Sequence, residues 1–143
     1  SGAVSYDAVN HQQMVNLRAE KIQRIADDIP PATVKGSGKA DLLVVSWGST
    51  YGSVAAAVSG LQEAGNSVDH LHLRYLNPFP ANLGTVLKPY KRILVPENNM
   101  GQLCTLLRAK YLVDARPLAK VEGRPFRVSE LSAQITDFLG ASK

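Results

Sequence analysis

Two short polar loops hold the residues best suited to meet a ligand. Gly48-Ser-Thr-Tyr-Gly52 brings the hydroxyls of Ser49, Thr50 and Ser53 beside glycine-exposed N–H groups, and at a helix N-terminus such groups can hold a phosphate or a carboxylate. The spacing lacks Gly-x-Gly-x-x-Gly and a closing Gly-Lys-Ser/Thr, so it is neither the dinucleotide fingerprint nor a P-loop. A tight strand-to-helix turn capped by Ser49 or Thr50 accounts for the same residues. Glu97-Asn-Asn-Met-Gly101 sets a carboxylate directly behind an apolar run, where it can serve as acid, base or partner to a cation. The alternative gives Asn98, Asn99 and Gly101 turn and cap roles and pairs Glu97 with a lysine or arginine at a subunit face.

Other reactive side chains form no set. His70 and His72 flank Leu71 and fall on one face of a strand, a spacing that could chelate a metal, yet no third ligand accompanies them. Half-buried, hydrogen-bonded histidines explain the pair equally. Cys104 lies among Leu103, Leu106 and Leu107 and reads as a small core residue rather than a nucleophile. Trp47, Tyr51 and Phe79 stand singly, as core or interface anchors. There is no triad, no metal cage and no phosphate-binding signature.

The elements around these loops alternate. Asn10 to Asp28 carries apolar residues at helical spacing (Met14, Leu17, Ile25; Val15, Ile22, Ile29) with charges between them, predicting an amphipathic helix. Pro30-Pro31 ends it, and Lys35-Gly-Ser-Gly-Lys39 reads as a flexible linker. Residues 1–39 thus form a helix and linker, and 40–143 a compact domain. Within it, Leu42 to Ser46, Val68 to Tyr75, Arg92 to Pro96 and Pro117 to Val121 are predicted strands. Helices are expected over Ser53 to Ala64, Ala81 to Lys88, Gln102 to Tyr111 and Val128 to Leu139. Strand–helix alternation with short connections predicts an α/β fold: a three-layer, doubly wound, mainly parallel sheet of about five strands. Both polar loops should then lie at the carboxyl ends of strands, where ligands sit in such sheets.

Composition bounds the function. At 143 residues with 45% apolar content the chain can bury one real core. A formal charge of +4 with scattered basic residues gives no nucleic-acid footprint, and no apolar run approaches the roughly 18 residues of a membrane span. One cysteine forms neither an internal disulfide nor an iron–sulfur cluster, which fits a reducing cytoplasm. The opening Ser-Gly-Ala, without Met, suggests a piece of something longer.

Trp47-Gly-Ser-Thr-Tyr-Gly52, Leu73-Arg-Tyr-Leu-Asn-Pro-Phe-Pro80, Val95-Pro-Glu-Asn-Asn-Met-Gly-Gln-Leu103 and Leu107-Arg-Ala-Lys-Tyr-Leu112 occur in that order. With the Val121-Glu-Gly-Arg-Pro-Phe126 stretch and the His11 to Pro30 helix, they resemble the C-terminal, transketolase-like domain of 2-oxoacid:ferredoxin oxidoreductase α subunits, from about Tyr6 to Leu139. The Asn-Pro-Phe-Pro and Glu-Asn-Asn-x-Gly-Gln-Leu forms look more like the 2-oxoglutarate branch than the pyruvate branch. The resemblance implies an enzyme that decarboxylates a 2-oxoacid on thiamine diphosphate with Mg, passes electrons through iron–sulfur clusters to ferredoxin and forms acyl-CoA. It implies as partners the β subunit and the rest of the α subunit, and it allows a homodimer. The resemblance places the thiamine-binding pyrimidine domain ahead of this one in the α subunit and the diphosphate-binding domain and cluster cysteines largely in the β subunit, so no catalytic residue is carried over. Gly48, Ser49, Thr50, Glu97, Asn98 and Gln102 are the residues expected at a subunit contact or near coenzyme A. The competing expectation is a free-standing module that binds a nucleotide or carboxylate in the crevice between the Gly48 and Glu97 loops.

Overall fold

The apolar runs form the middle of a five-stranded sheet in the computed structural model, which describes residues 2–141. Along the chain come α1 (Ala8–Arg24), a 3₁₀ turn (Ile25–Asp27), β1 (Val34–Lys35), β2 (Leu42–Trp47) and a second 3₁₀ turn (Gly48–Thr50). Next are α2 (Tyr51–Glu63), β3 (Val68–Leu73), α3 (Leu83–Leu87), β4 (Ile93–Glu97), α4 (Gln102–Tyr111), β5 (Ala115–Ala119) and α5 (Val128–Gly140). The sheet order is β1-β3-β2-β4-β5, parallel except for β1, which runs antiparallel to β3.

The central strand shows why this is a three-layer fold. Leu42, Leu43, Val44 and Val45 are all inaccessible to solvent, because successive side chains enter opposite, equally covered faces. Leu42 and Val44 pack with Val54, Val58, Leu131 and Ile135 of α2 and α5. Leu43 and Val45 pack with Leu83, Leu87, Leu103 and Leu107 of α3 and α4. From β2 the chain crosses to β3 on one side and then returns to β4 on the other, so the order reverses between β2 and β4. That reversal opens a crevice at their carboxyl ends.

Several boundaries differ from the sequence reading. The final strand covers Ala115–Ala119 rather than Pro117 to Val121. Ala115 is buried opposite Ile93, and Pro117, without an N–H, is tolerated because the strand is an edge. α1 begins earlier, at Ala8, where the Asp7 carboxylate accepts from Asn10 N at 2.7 Å, and none of its residues is buried.

The larger difference is the segment read as a flexible linker. Val34 and Lys35 pair with Leu71 and His70 of β3, and the following turn is held by buried Asp69. The Asp69 carboxylate accepts from Ser37 N at 2.8 Å, Ala40 N at 3.3 Å and the Tyr90 hydroxyl at 2.7 Å. Burial, then the Asp69 carboxylate, push the Tyr90 phenol up, so it remains a donor. At Gly36, with φ of +132°, an added Cβ would lie 2.0 Å from Asp69 Oδ1. The glycine permits that close approach and is not a sign of disorder.

A second buried carboxylate joins β4 to α4. Glu97 is fully buried, and its two oxygens accept from Leu103 N and Cys104 N, each at 2.9 Å. Trp47 Nε1 donates to the same carboxylate at 3.4 Å. The helix N-cap, Gly101, has no side chain, so Glu97 supplies from the strand the acceptors that the first turn lacks. Asn99 Oδ1 takes Gly101 N at 2.7 Å and Gln102 N at 3.2 Å.

Glu97→Gln retains the shape but loses the charge and an acceptor. It should lower the free energy of unfolding by about 2 kcal/mol, seen as an earlier urea midpoint in Trp47 fluorescence; an unchanged midpoint would deny the carboxylate this clamping role. Asp69→Asn should release the 36–39 turn, and native-state trypsin should nick Lys35 or Lys39 about tenfold faster. An equal rate would mean that the β1–β3 pairing alone holds the segment.

Candidate functional site

The crevice at the carboxyl ends of β2 and β4 is lined by Trp47, Gly48, Ser49, Thr50, Asn98 and Asn99 and encloses about 230 Å³. One wall is the 3₁₀ turn after β2. Gly48 adopts φ of +56° there, a left-handed conformation suited to glycine that reverses the chain away from the strand. Thr50 is buried, and its Oγ1 donates to Trp47 O at 2.8 Å while accepting from Trp47 N at 3.3 Å. Thr50 thus fastens the turn back onto Trp47, and its side chain makes no capping hydrogen bond to α2. Gly48 and Ser49 are left exposed.

The opposite wall follows β4. Asn98 is exposed and its Nδ2 donates to Arg124 O at 3.3 Å, which ties the loop to the segment before α5. Asn99 caps α4 as described, and Gln102 is exposed on that helix's first turn. Glu97 does not sit at the rim. The reading that paired it with a surface lysine or arginine is corrected: the carboxylate lies inside, bound to N–H groups, and no cation is within salt-bridge distance of it among the described residues. Of the six residues singled out, Gly48, Ser49, Asn98 and Gln102 are exposed, while Thr50 and Glu97 support them from below.

The histidine pair meets a residue the sequence did not single out. Ser46 Oγ, fully buried in β2, is 2.7 Å from His70 Nε2 and 2.9 Å from His72 Nδ1. The β2–β3 register places Ser46 opposite His72, so a serine on a neighbouring strand was the available signal. Burial pushes His70 down to about 4, with His72 and Lys35 adding to the effect, and His70 is neutral near pH 7. One hydroxyl proton cannot serve both rings, so at least one histidine donates to Ser46 Oγ. No group of three His, Cys, Asp or Glu side chains is placed to hold a metal ion among the described residues. Cys104 is buried, and burial, reinforced by the Glu97 charge, pushes its thiol up. That makes it a core residue with little thiolate character.

Residues 40–131 match the family model described as pyruvate:ferredoxin oxidoreductase core domain II. The chain is 47% identical over 132 residues to the 2-oxoglutarate oxidoreductase subunit KorA of Mycobacterium tuberculosis, covering 92% of this chain and 20% of that protein. It is 29% identical to the α subunit of 2-oxoacid:ferredoxin oxidoreductase 2 of Aeropyrum pernix, over 96% of this chain and 22% of that one. Among solved structures, the 2-oxoglutarate:ferredoxin oxidoreductase of Magnetococcus marinus, with 2-oxoglutarate, coenzyme A and succinyl-CoA bound, superposes with a TM-score of 0.88 at 30% identity. That match covers 95% of this chain and 24% of the other. The chain spans about a fifth of the length of these curated relatives. A doubly wound sheet with its crevice at the β2/β4 reversal, the family match over 40–131 and the M. tuberculosis relative agree, and the chain belongs to the pyruvate:ferredoxin oxidoreductase core domain II family.

Proposed function

We propose that this chain serves as the transketolase C-terminal-like domain of the α subunit of a thiamine-diphosphate-dependent 2-oxoglutarate:ferredoxin oxidoreductase. Such an enzyme converts 2-oxoglutarate and coenzyme A to succinyl-CoA and CO2 and passes the electrons to ferredoxin. The observation that carries this reading is the superposition on the M. marinus enzyme over 95% of the chain. The 47% identity to a 2-oxoglutarate oxidoreductase subunit favours the 2-oxoglutarate branch.

The donor set of this chain does not fit the reaction's inorganic groups. A magnesium diphosphate needs converging oxygen donors and an iron–sulfur cluster needs several thiolates, whereas the described residues hold no such group and the single thiol is buried. In this reading the cofactors and clusters belong to the rest of the complex, and the role of this domain is assembly and shaping of the active-site rim.

Gly48, Ser49, Asn98 and Gln102 form the surface offered to the remaining α-subunit chain, the β subunit or coenzyme A. Thr50 and Glu97 act through them. Their polar atoms are already bonded within the domain, so they fix the shape of the rim and leave its contacts to their neighbours.

The test begins with the polypeptide as the source cell makes it, isolated natively with an antibody to this chain. We expect a polypeptide several times heavier than 15.4 kDa that reduces ferredoxin only when 2-oxoglutarate and coenzyme A are both present. A band at 15.4 kDa without turnover would sink the reading and favour a free-standing ligand module. At the rim, Ser49→Trp and Asn98→Trp should each leave stability within about 0.5 kcal/mol while reducing recovery of the assembled complex on gel filtration. Full recovery of both would mean that this rim faces solvent.

A further inference from the structure

Beside the carboxyl end of β3, a second cleft is lined by Lys35, Tyr51, His72, Arg74 and Tyr75 and walled by Pro30, Pro31 and Pro80, enclosing about 290 Å³. Its polar groups converge from three elements: Lys35 from the antiparallel edge strand, Tyr51 from the first turn of α2, and His72 with Arg74 from β3 and the residue after it. Lys35 Nζ donates to the Tyr51 hydroxyl at 2.8 Å, and the Tyr51 and His72 ring centroids are 4.6 Å apart. Ser46 occupies His72 Nδ1, leaving Nε2 for the cleft.

Among the described residues no carboxylate lines this cleft, and neither Lys35 nor Arg74 forms a salt bridge with any of them. Two cations, an imidazole and a phenol therefore face one space without a counter-charge. Such a set matches an oxyanion, which accepts from several donors at once. The prolines form an apolar wall that orders little on binding.

We propose that the Lys35–Tyr51–His72–Arg74 cleft is a binding site for an oxyanion group, phosphate or carboxylate, on a small-molecule ligand. None of these residues belongs to the crevice rim, so the site stands or falls separately from the reading of the chain as an α-subunit domain.

Two spectroscopic handles report on it. The Lys35 ammonium, by its hydrogen bond and its charge, holds the Tyr51 phenol below its ordinary range. Burial, then the charges of Arg74 and Lys35, hold His72 below the ordinary histidine range. The groups facing His72 are Lys35 from β1, Ser46 from β2, Tyr51 from α2, and His70 and Arg74 along its own strand and beyond. None is acidic. A bound anion favours imidazolium and disfavours phenolate, so both pKa values should rise, and affinity should increase as pH falls through the His72 value.

The experiment titrates the 143-residue chain with inorganic phosphate, pyrophosphate or succinate. It follows the His72 imidazole protons by NMR and the Tyr51 phenolate by its ultraviolet absorbance. Saturable upward shifts of both groups are expected. A response to the phosphates alone identifies a phosphoryl ligand, and a response to succinate alone a carboxylate ligand. Arg74→Gln should weaken binding about tenfold, as should Lys35→Gln, and His72→Gln should remove the part of the pH dependence that follows the His72 titration. Arg74 makes no hydrogen bond within the described chain, so its variant stays informative if Lys35→Gln disturbs β1. No saturable shift with any of the three anions, or equal binding by Arg74→Gln, would overturn the proposal.

Discussion

The Glu97 carboxylate holds together the part of the domain where a ligand or partner can approach. It ends β4, receives the N–H groups of Leu103 and Cys104 at the start of α4, and contacts the Trp47 indole at the end of β2. A charge removed from water this completely is stable only when hydrogen bonds replace hydration. Helix N-terminal N–H groups supply them, with the helix dipole adding in the same direction. The same bonds fix the direction of α4, and they fix the separation of the two crevice walls, because Trp47 begins one wall and Asn98 the other. The crevice at the topological switch point is thus set by a buried ion rather than by packing alone.

Asp69 repeats the logic at the opposite edge. It gathers N–H groups from the turn after β1 and the Tyr90 hydroxyl, and so docks a two-residue strand that would be too short to hold by its own ladder. The consequence is electrostatic as well as structural. Both buried carboxylates are consumed by N–H and O–H donors inside the domain, so neither neutralises a surface cation. Lys35, placed by that docked strand, meets Tyr51 instead, and Arg74 has no carboxylate within salt-bridge distance among the described residues.

Period and punctuation carried most of the fold. Continuous apolar runs such as Leu42 to Val45 mark strands covered on both faces, and the glycine-bearing loops mark the returns. What escaped was long-range. Gly36 and Gly38 read as flexibility because the reason for Gly36, the approach of Asp69, lies 33 positions away in the chain. Glu97 read as a rim residue because a carboxylate behind a strand is usually solvated; its capture depends on α4 presenting a first turn whose N-cap has no side chain. Ser46 passed unnoticed because only the β2–β3 register sets it against both histidines. Local polarity located the crevice, but which polar groups face outward depended on partners that no local window contains.

That division between inward and outward groups also bears on what such a domain can do. Chemistry at a site requires polar groups held in place yet free to meet a substrate. At the crevice Thr50, with Glu97 buried behind the rim, is bonded internally, and the exposed polar groups, Ser49 and Asn98, are not acid–base groups near neutral pH. Such an arrangement presents a fixed shape with adaptable hydrogen bonding, which suits contact with another surface. Proton transfer would need a titratable group at the rim, and the structure places the His72 imidazole in the other cleft. Shape-giving and charge-bearing features are thereby separated along one edge of the sheet, the first at β2/β4 and the second at β1/β3.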